Sequence, residues 1–201
     1  MVGLNFLITR HAETDWNRHP RRLQGRADVR LSNAWLSHNK PYKKSILSKY
    51  EPDVIYSSPA TRCLQTARLV FGDNIQVNID EGLWEINNGF FSGELESDIK
   101  NIHSTLWGDW KKTPELVRPG GGETLQEMSD RVYNSICSIL NKNKNKEYIH
   151  IIMHGGPIRV LMCRFNQIPL RNFHDISVDN METFSIVKKK NFFLINRLGI
   201  L

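Results

Sequence analysis

No run in the 201-residue chain approaches the roughly 18 apolar residues that a membrane-spanning helix needs, and the stretch before Arg10 is too short for the core of a secretory signal. Cysteine is sparse: Cys63, Cys137 and Cys163 are odd in number, widely spaced and without a CxxC pair, and each sits inside an apolar stretch. That pattern fits buried thiols in a reducing compartment better than a disulfide framework or a zinc site. Also missing are an internal repeat, a low-complexity linker and any convincing domain boundary. Nor do Asp, Glu, His and Cys gather at ligand spacing, so no metal and no cofactor is expected. The chain reads as one soluble, cytoplasmic domain spanning residues 1–201.

What is present is a core and a positive balance. Five Trp, five Tyr and nine Phe are enough to fill an interior, which excludes general disorder. Lys and Arg exceed Asp and Glu by 27 to 21, a charge that favours anionic partners without choosing among them. Three short β-rich apolar runs, Leu4 to Thr9, Val54 to Ser57 and Tyr148 to Met153, read as buried strands. Each is followed by a turn and a segment of helical spacing, the pattern of an α/β domain.

Local signals fill in the rest. Ser58 and Pro59 suit the N-cap and first position of a helix whose buried face is Cys63, Leu64, Ala67, Val70 and Phe71. Gly155, Gly156 and Pro157 open another, running through Cys163. Leu95, Ile99, Ile102, Leu106 and Trp110 recur at three- and four-residue steps and predict one amphipathic helix. Gly120 to Gly122 predict a flexible loop, and Thr124 with Glu127 a capping box ahead of the face Leu125, Met128, Val132, Ile136 and Ile139. Asn141 to Lys146 read as a surface loop, and Phe184 to Val187 with Phe192 to Ile195 as a closing hairpin.

The chemistry gathers at the strand ends. Arg10 and His11 follow the first strand, Arg62 the second and His154 the third. In open α/β sheets the ligand crevice lies beyond the carboxyl ends of the strands, so these distant residues should converge there. A lone histidine after a strand is more often structural. Two arginines and two histidines at three strand ends would, however, leave an uncompensated positive cluster unless an anion arrives. Arg62 falls in the first turn of its helix, where unpaired N–H groups also favour an anion.

These residues carry a family resemblance. Thr9-Arg10-His11-Ala12-Glu13-Thr14-Asp15-Trp16-Asn17 resembles the signature of the histidine phosphatase superfamily, also called phosphoglycerate mutase-like. The likeness continues in order through Gln24-Gly25, Ser57 to Ala67, Leu83-Trp84-Glu85-Ile86 with Gly89 and Gly93, Pro119 to Thr124, and Met153-His154-Gly155-Gly156. Ala12 stands where that family often has Gly, Arg30 where Pro is common, and Ser32 to Asn39 lack the usual Gly and Ala pattern.

The resemblance implies a three-layer sandwich with a mainly parallel sheet, helices on both faces and an inserted helical cap at about 80–125. It implies metal-independent hydrolysis of a small phosphorylated metabolite. His11 would be the nucleophile, forming a phosphohistidine; Arg10, Arg62, His154 and Asn17 would hold phosphoryl oxygens; Glu85 would protonate the leaving oxygen and later help deprotonate water. Gly155 joins the substrate side by the same likeness. Thr14 is balanced between a phosphate contact and a helix cap, and Gln24 and Gly25 between the substrate side and a tight turn. Competing readings are a mutase-like phosphotransferase and a catalytically silent phospho-ligand binder. Arg18, Arg21, Arg22, Arg26 and Arg30 read first as a solvated face and second as a site for another anionic group. Without interleaved aromatics that stretch argues against nucleic acid.

Overall fold

In the computed structural model, described here for residues 5–38, 51–189 and 193–200, the apolar runs become strands of one six-stranded sheet. The strands are β1 (Asn5–Arg10), β2 (Val54–Ser57), β3 (Val77–Ile79), β4 (Tyr148–Met153), β5 (Glu182–Lys188) and β6 (Phe193–Ile200), in the order β3-β2-β4-β1-β5-β6. Strands β3, β2, β4 and β1 are parallel; β5 adds antiparallel to β1, and β6 antiparallel to β5. Leu4, Asn39 and residues 190–192 lie outside the described residues. The helices are α1 (Asn33–His38), α2 (Thr61–Phe71), α3 (Glu96–Ile102), α4 (Ser104–Lys112), α5 (Leu125–Lys142) and α6 (Gly155–Phe165).

Alternation along the central strands sorts the helices into two layers. Phe6 and Ile8 of β1 and Ile149, Ile151 and Met153 of β4 share a cluster with Val132 and Ile136 of α5 and Ile158 and Leu161 of α6. Ile152 turns the other way, against Cys63 and Ala67 of α2, and the ring of His150 meets Phe71 on that side. Every residue of the face foreseen for α5, from Leu125 to Ile139, is buried, each worth roughly 1.5–3 kcal/mol against exposure. The capping box that starts α5 is present, Glu127 N–H donating to Thr124 Oγ at 3.2 Å and Thr124 N–H to the Glu127 carboxylate at 3.0 Å.

Four local expectations are corrected. Helix α2 starts at Thr61, not Pro59, because Ser58 is engaged with His154; Asp28 caps α2 from outside, accepting from Thr61 N–H at 3.0 Å and Thr61 Oγ at 2.8 Å. The single helix foreseen over Leu95 to Trp110 breaks at His103 into α3 and α4, so Ile102 falls out of register and is exposed while Ile99, Trp107 and Trp110 stay buried. Helix α5 runs on through Lys142, shortening the foreseen loop.

The fourth correction concerns Gly120 to Gly122, which form a tight turn and not a flexible loop. This turn crosses Asn87 to Gly89 with backbone against backbone: a Cβ on Gly122 would lie 1.8 Å from Asn87 O, and one on Gly120 2.3 Å from Asn88 O. Glu123 N–H seals the crossing by donating to Asn87 O at 2.9 Å. Substituting Gly122→Ala should therefore cost at least about 2 kcal/mol through backbone displacement. Gly121→Ala, at φ +74 with open space around its Cβ, should cost only about 1 kcal/mol of backbone strain. Urea unfolding of the two variants checks this, and equal losses would mean that the crossing yields freely.

Candidate active site

The parallel strands deliver their following residues to one edge of the sheet. His11 N–H donates to Met153 O at 2.9 Å and Ser58 N–H to Ile152 O at 3.0 Å, so the ends of β1, β2 and β4 are stitched together there. His11, Arg62 and His154 are all buried, with the His11 and His154 rings edge to face at 5.3 Å. A cavity of about 110 Å³ opens beside them, lined by Arg10, His11, Asn17, Gln24, Gly25, Glu85, Asn88, Trp110, Gly156 and Arg159 among others.

Hydrogen bonding fixes the imidazoles. His11 Nδ1 lies 2.7 Å from Ala12 O, an atom that only accepts, so Nδ1 carries the proton and Nε2 keeps its lone pair. Arg62 Nε–H donates to His154 Nδ1 at 3.3 Å, which leaves the His154 proton on Nε2, facing Ser58 Oγ at 2.7 Å. Trp84 stacks on His154 with planes 6° apart, and the Cys63 thiol packs beside it. Burial pushes that thiol up to about 12, which keeps it inert.

Charge reinforces this state. Burial, then Arg62 and Arg10, hold His11 well below its ordinary pKa; burial, Arg62, His11 and Arg10 do the same to His154. A neutral histidine with a free Nε2 beside guanidinium groups is a nucleophile for an anionic electrophile. Arg10 donates from NH1 to Val178 O at 2.6 Å, but its buried Nε–H has no partner. Burial also pushes the Arg10 guanidinium down to about 10, the mark of a charge short of solvent.

The remaining candidates divide into those that face the cavity and those behind it. Asn17 faces it; its Oδ1 accepts from Thr14 N–H and Thr14 Oγ at 2.9 and 3.0 Å, leaving its amide N–H groups to donate. Gln24 faces it too, donating to Thr14 Oγ at 2.8 Å while its buried Oε1 has no partner. Thr14 thus stands behind both as their connector. Gly25 lines the cavity at φ +47, and its carbonyl accepts from Arg62 NH2 at 2.8 Å. Arg62 also donates to Ala27 O at 2.8 Å; it and His154 form the layer beneath His11, outside the cavity wall.

Glu85 sits on the start of α6. Its carboxylate accepts from Ile86 N–H at 2.9 Å and from Gly156 N–H at 3.2 Å. A Cβ on residue 156 would meet Glu85 Oε1 at 2.1 Å, whereas one on residue 155 would make ordinary contact with Arg10. Gly156 lines the cavity with no room for a Cβ, while Gly155, expected on the substrate side, packs against the Arg10 side chain. Three further residues were not singled out from the sequence. Arg159 lines the cavity one turn into α6, a position inferable from a helix that starts at the site. Asn180 donates to His11 O at 2.9 Å, and Val178 takes the Arg10 bond; both lie in a connection with no motif to announce them.

Among the described residues no three His, Cys, Asp or Glu side chains cluster to hold an ion, and no described helix is long and apolar enough to cross a membrane. A family model, the histidine phosphatase superfamily (branch 1), matches residues 6–200. The chain is 28% identical to a phosphoserine phosphatase 1 of Hydrogenobacter thermophilus, over 92% of this chain and 86% of that one. It is equally identical, 28%, to a phosphoglycerate mutase-like protein 4 of Arabidopsis thaliana, over 79% of this chain and 70% of the other. Its fold matches a phosphoserine phosphatase of Entamoeba histolytica solved with phosphoserine, at a TM-score of 0.82 and 20% identity over 96% and 94% of the two chains.

The buried neutral imidazoles make stability depend on pH. His150, held down to about 3 by burial, joins His11 and His154. The unfolded chain takes up protons on these rings below about pH 6.5, the folded chain only far lower, so stability is full above that pH and is lost as pH falls. Each ring contributes up to about 1.4 kcal/mol per pH unit in this window. Urea unfolding should show a clear loss between pH 7.5 and 5, before most carboxylates titrate; a flat profile there would contradict the assignment.

Proposed function

The chain belongs to the histidine phosphatase superfamily, branch 1, and is a phosphomonoester hydrolase; we propose that His11 Nε2 is its nucleophile and that no metal takes part. What carries this reading is the pairing, in one cavity, of a lone-pair-bearing His11 Nε2 with the unpartnered Arg10 Nε–H.

The substrate phosphoryl group is held by Arg10 and Asn17, backed by the uncommitted N–H groups of Arg62, whose guanidinium the His154 ring steadies from the layer beneath. His11 Nε2 attacks phosphorus in line; the N–P bond forms as the bond to the leaving oxygen breaks. Glu85 relays a proton, brought in by the ester monoanion, to that oxygen, releasing an alcohol. Water then attacks the phosphohistidine, passing a proton back to Glu85 while the N–P bond breaks and phosphate leaves. Dividing the displacement in two lets one carboxyl group serve as acid and then as base.

In this reading the chain acts as a single domain in the cytoplasm, and residues 80–125 cap the cavity through Glu85, Asn88 and Trp110. The substrate is a small phosphorylated metabolite, in line with the phosphoserine phosphatases among the relatives. The basic stretch is read as a solvated face. Arg18 pairs with Glu13 at 2.6 Å, Arg22 donates to Gly93 O at 2.8 Å and Arg26 reaches Glu123 at 3.5 Å.

Rapid quench with labelled substrate should place acid-labile label on His11, and His11→Ala should abolish it; turnover surviving exhaustive chelation completes the expected result. Label on another residue, or restoration of chelated enzyme by a divalent ion, would overturn the mechanism. Glu85→Gln should slow the phosphorylation burst about 10² to 10⁴-fold for alkyl phosphates and much less for p-nitrophenyl phosphate, whose leaving group needs no proton. Equal burst losses for both would make Glu85 a positioning residue.

A further inference from the structure

The cavity holds more positive charge than one phosphoryl group needs. Arg159 rises from the second turn of α6 with its guanidinium over the Phe173 ring, 5.4 Å from the ring centroid, and its Nε is buried without a partner. No hydrogen bond or ion pair ties Arg159 to another described residue. Burial holds its guanidinium below the ordinary value, with Glu85 opposing the shift and Arg21 adding to it. Arg159 is half-buried, and its buried Nε–H without an acceptor is costly, a cost that an arriving anion relieves.

Arg21 stands beside it. Of the arginines between 18 and 30 it alone lines the cavity, at the exposed mouth, and its contact to Glu96 is a loose 3.9 Å while Glu96 pairs with Lys100 at 2.8 Å. Arg10, Arg21 and Arg159 also line an adjoining recess of about 250 Å³ with Asp179 and Asn180. The two hollows therefore form a phosphoryl site and, next to it, a second cationic one with a single acid on its rim.

Resting on the phosphatase reading, we propose that Arg159 and Arg21 form a carboxylate subsite that selects phosphomonoesters of small hydroxy or amino acids. A planar carboxylate matches the guanidinium fork and brings a single negative charge to a recess that Asp179 also lines, whereas a second phosphate would bring nearly two. Asp179 in turn favours an amino group beside the carboxylate. Neither arginine is required for attack on phosphorus; their effect is on which ester is held in line.

The test is a ratio. Values of kcat/KM are measured for phosphoserine and phosphoglycolate, which carry a carboxylate, for phosphoethanolamine, which lacks one, and for propanediol bisphosphate, which carries a second phosphate. Wild-type enzyme should prefer the carboxylate esters to phosphoethanolamine at least tenfold. Arg159→Met should cut that preference about 10- to 100-fold, mainly through KM, and Arg21→Met about 3- to 10-fold. Arg21 is exposed, so its variant serves if Arg159→Met does not fold. Equal losses on all substrates, or an unchanged ratio in both variants, would overturn the subsite. Wild-type preference for the bisphosphate would replace the carboxylate by a phosphate. Wild-type enzyme that hydrolyses none of the esters and gains no label on His11 would instead defeat the phosphatase reading itself.

Discussion

The bond from His11 Nδ1–H to Ala12 O, at 2.7 Å, is the interaction on which the rest of the site depends. It puts the lone pair on Nε2, and the surrounding structure is arranged to keep that carbonyl and that ring where they are. Thr66 Oγ accepts from Ala12 N–H at 3.0 Å, Asn180 holds His11 O, and Met181 N–H bonds Arg10 O at 3.1 Å. Burial and two guanidinium groups then penalise a second proton on the ring. A charged imidazole cannot attack phosphorus, so the same positive field that attracts the substrate also readies the nucleophile.

That field has a structural cost, and Arg62 shows how it is contained. The side chain is fully buried, yet it donates to Gly25 O, Ala27 O and His154 Nδ1, so neutral acceptors solvate it in place of a carboxylate. A carboxylate partner would have cancelled the charge that an anionic ester needs. Carbonyls satisfy the hydrogen bonds and leave the charge standing. Gly25 earns its place here: only a residue tolerant of φ +47, with no side chain to strike Ser92 Oγ at 2.7 Å, turns that carbonyl toward Arg62.

The strands and the residues that follow them were legible because two signals coincide in β1, β2 and β4: a short apolar run, then a charged or imidazole side chain that no core would accept alone. The face of α5 was legible from its three- and four-residue repeat. The break at His103 was not, since Leu95 to Trp110 keeps helical spacing across it. Gly120 to Gly122 misled because composition reports freedom of the backbone and is silent on what lies against it. The Ser58 cap failed because its hydroxyl faces His154 at 2.7 Å and keeps only a long 3.4 Å bond from Ala60 N–H ahead of the helix. Asn180 and Val178 act through backbone and amide bonds at a distance of about 170 residues, and no local pattern encodes such a partner.

The position of β1 bears on how the protein is made. Its neighbours are β4 and β5, so β1, which carries Arg10 and leads into His11, is made before its partner strands and stays without a lateral partner until Tyr148 to Met153 have emerged. At ribosomal speeds of about 5–20 residues per second that wait lasts roughly seven to thirty seconds. During it Phe6, Leu7 and Ile8 are an unpaired apolar edge, open to other nascent chains. The length of that exposure is thus set by strand order, independently of how stable the finished enzyme is.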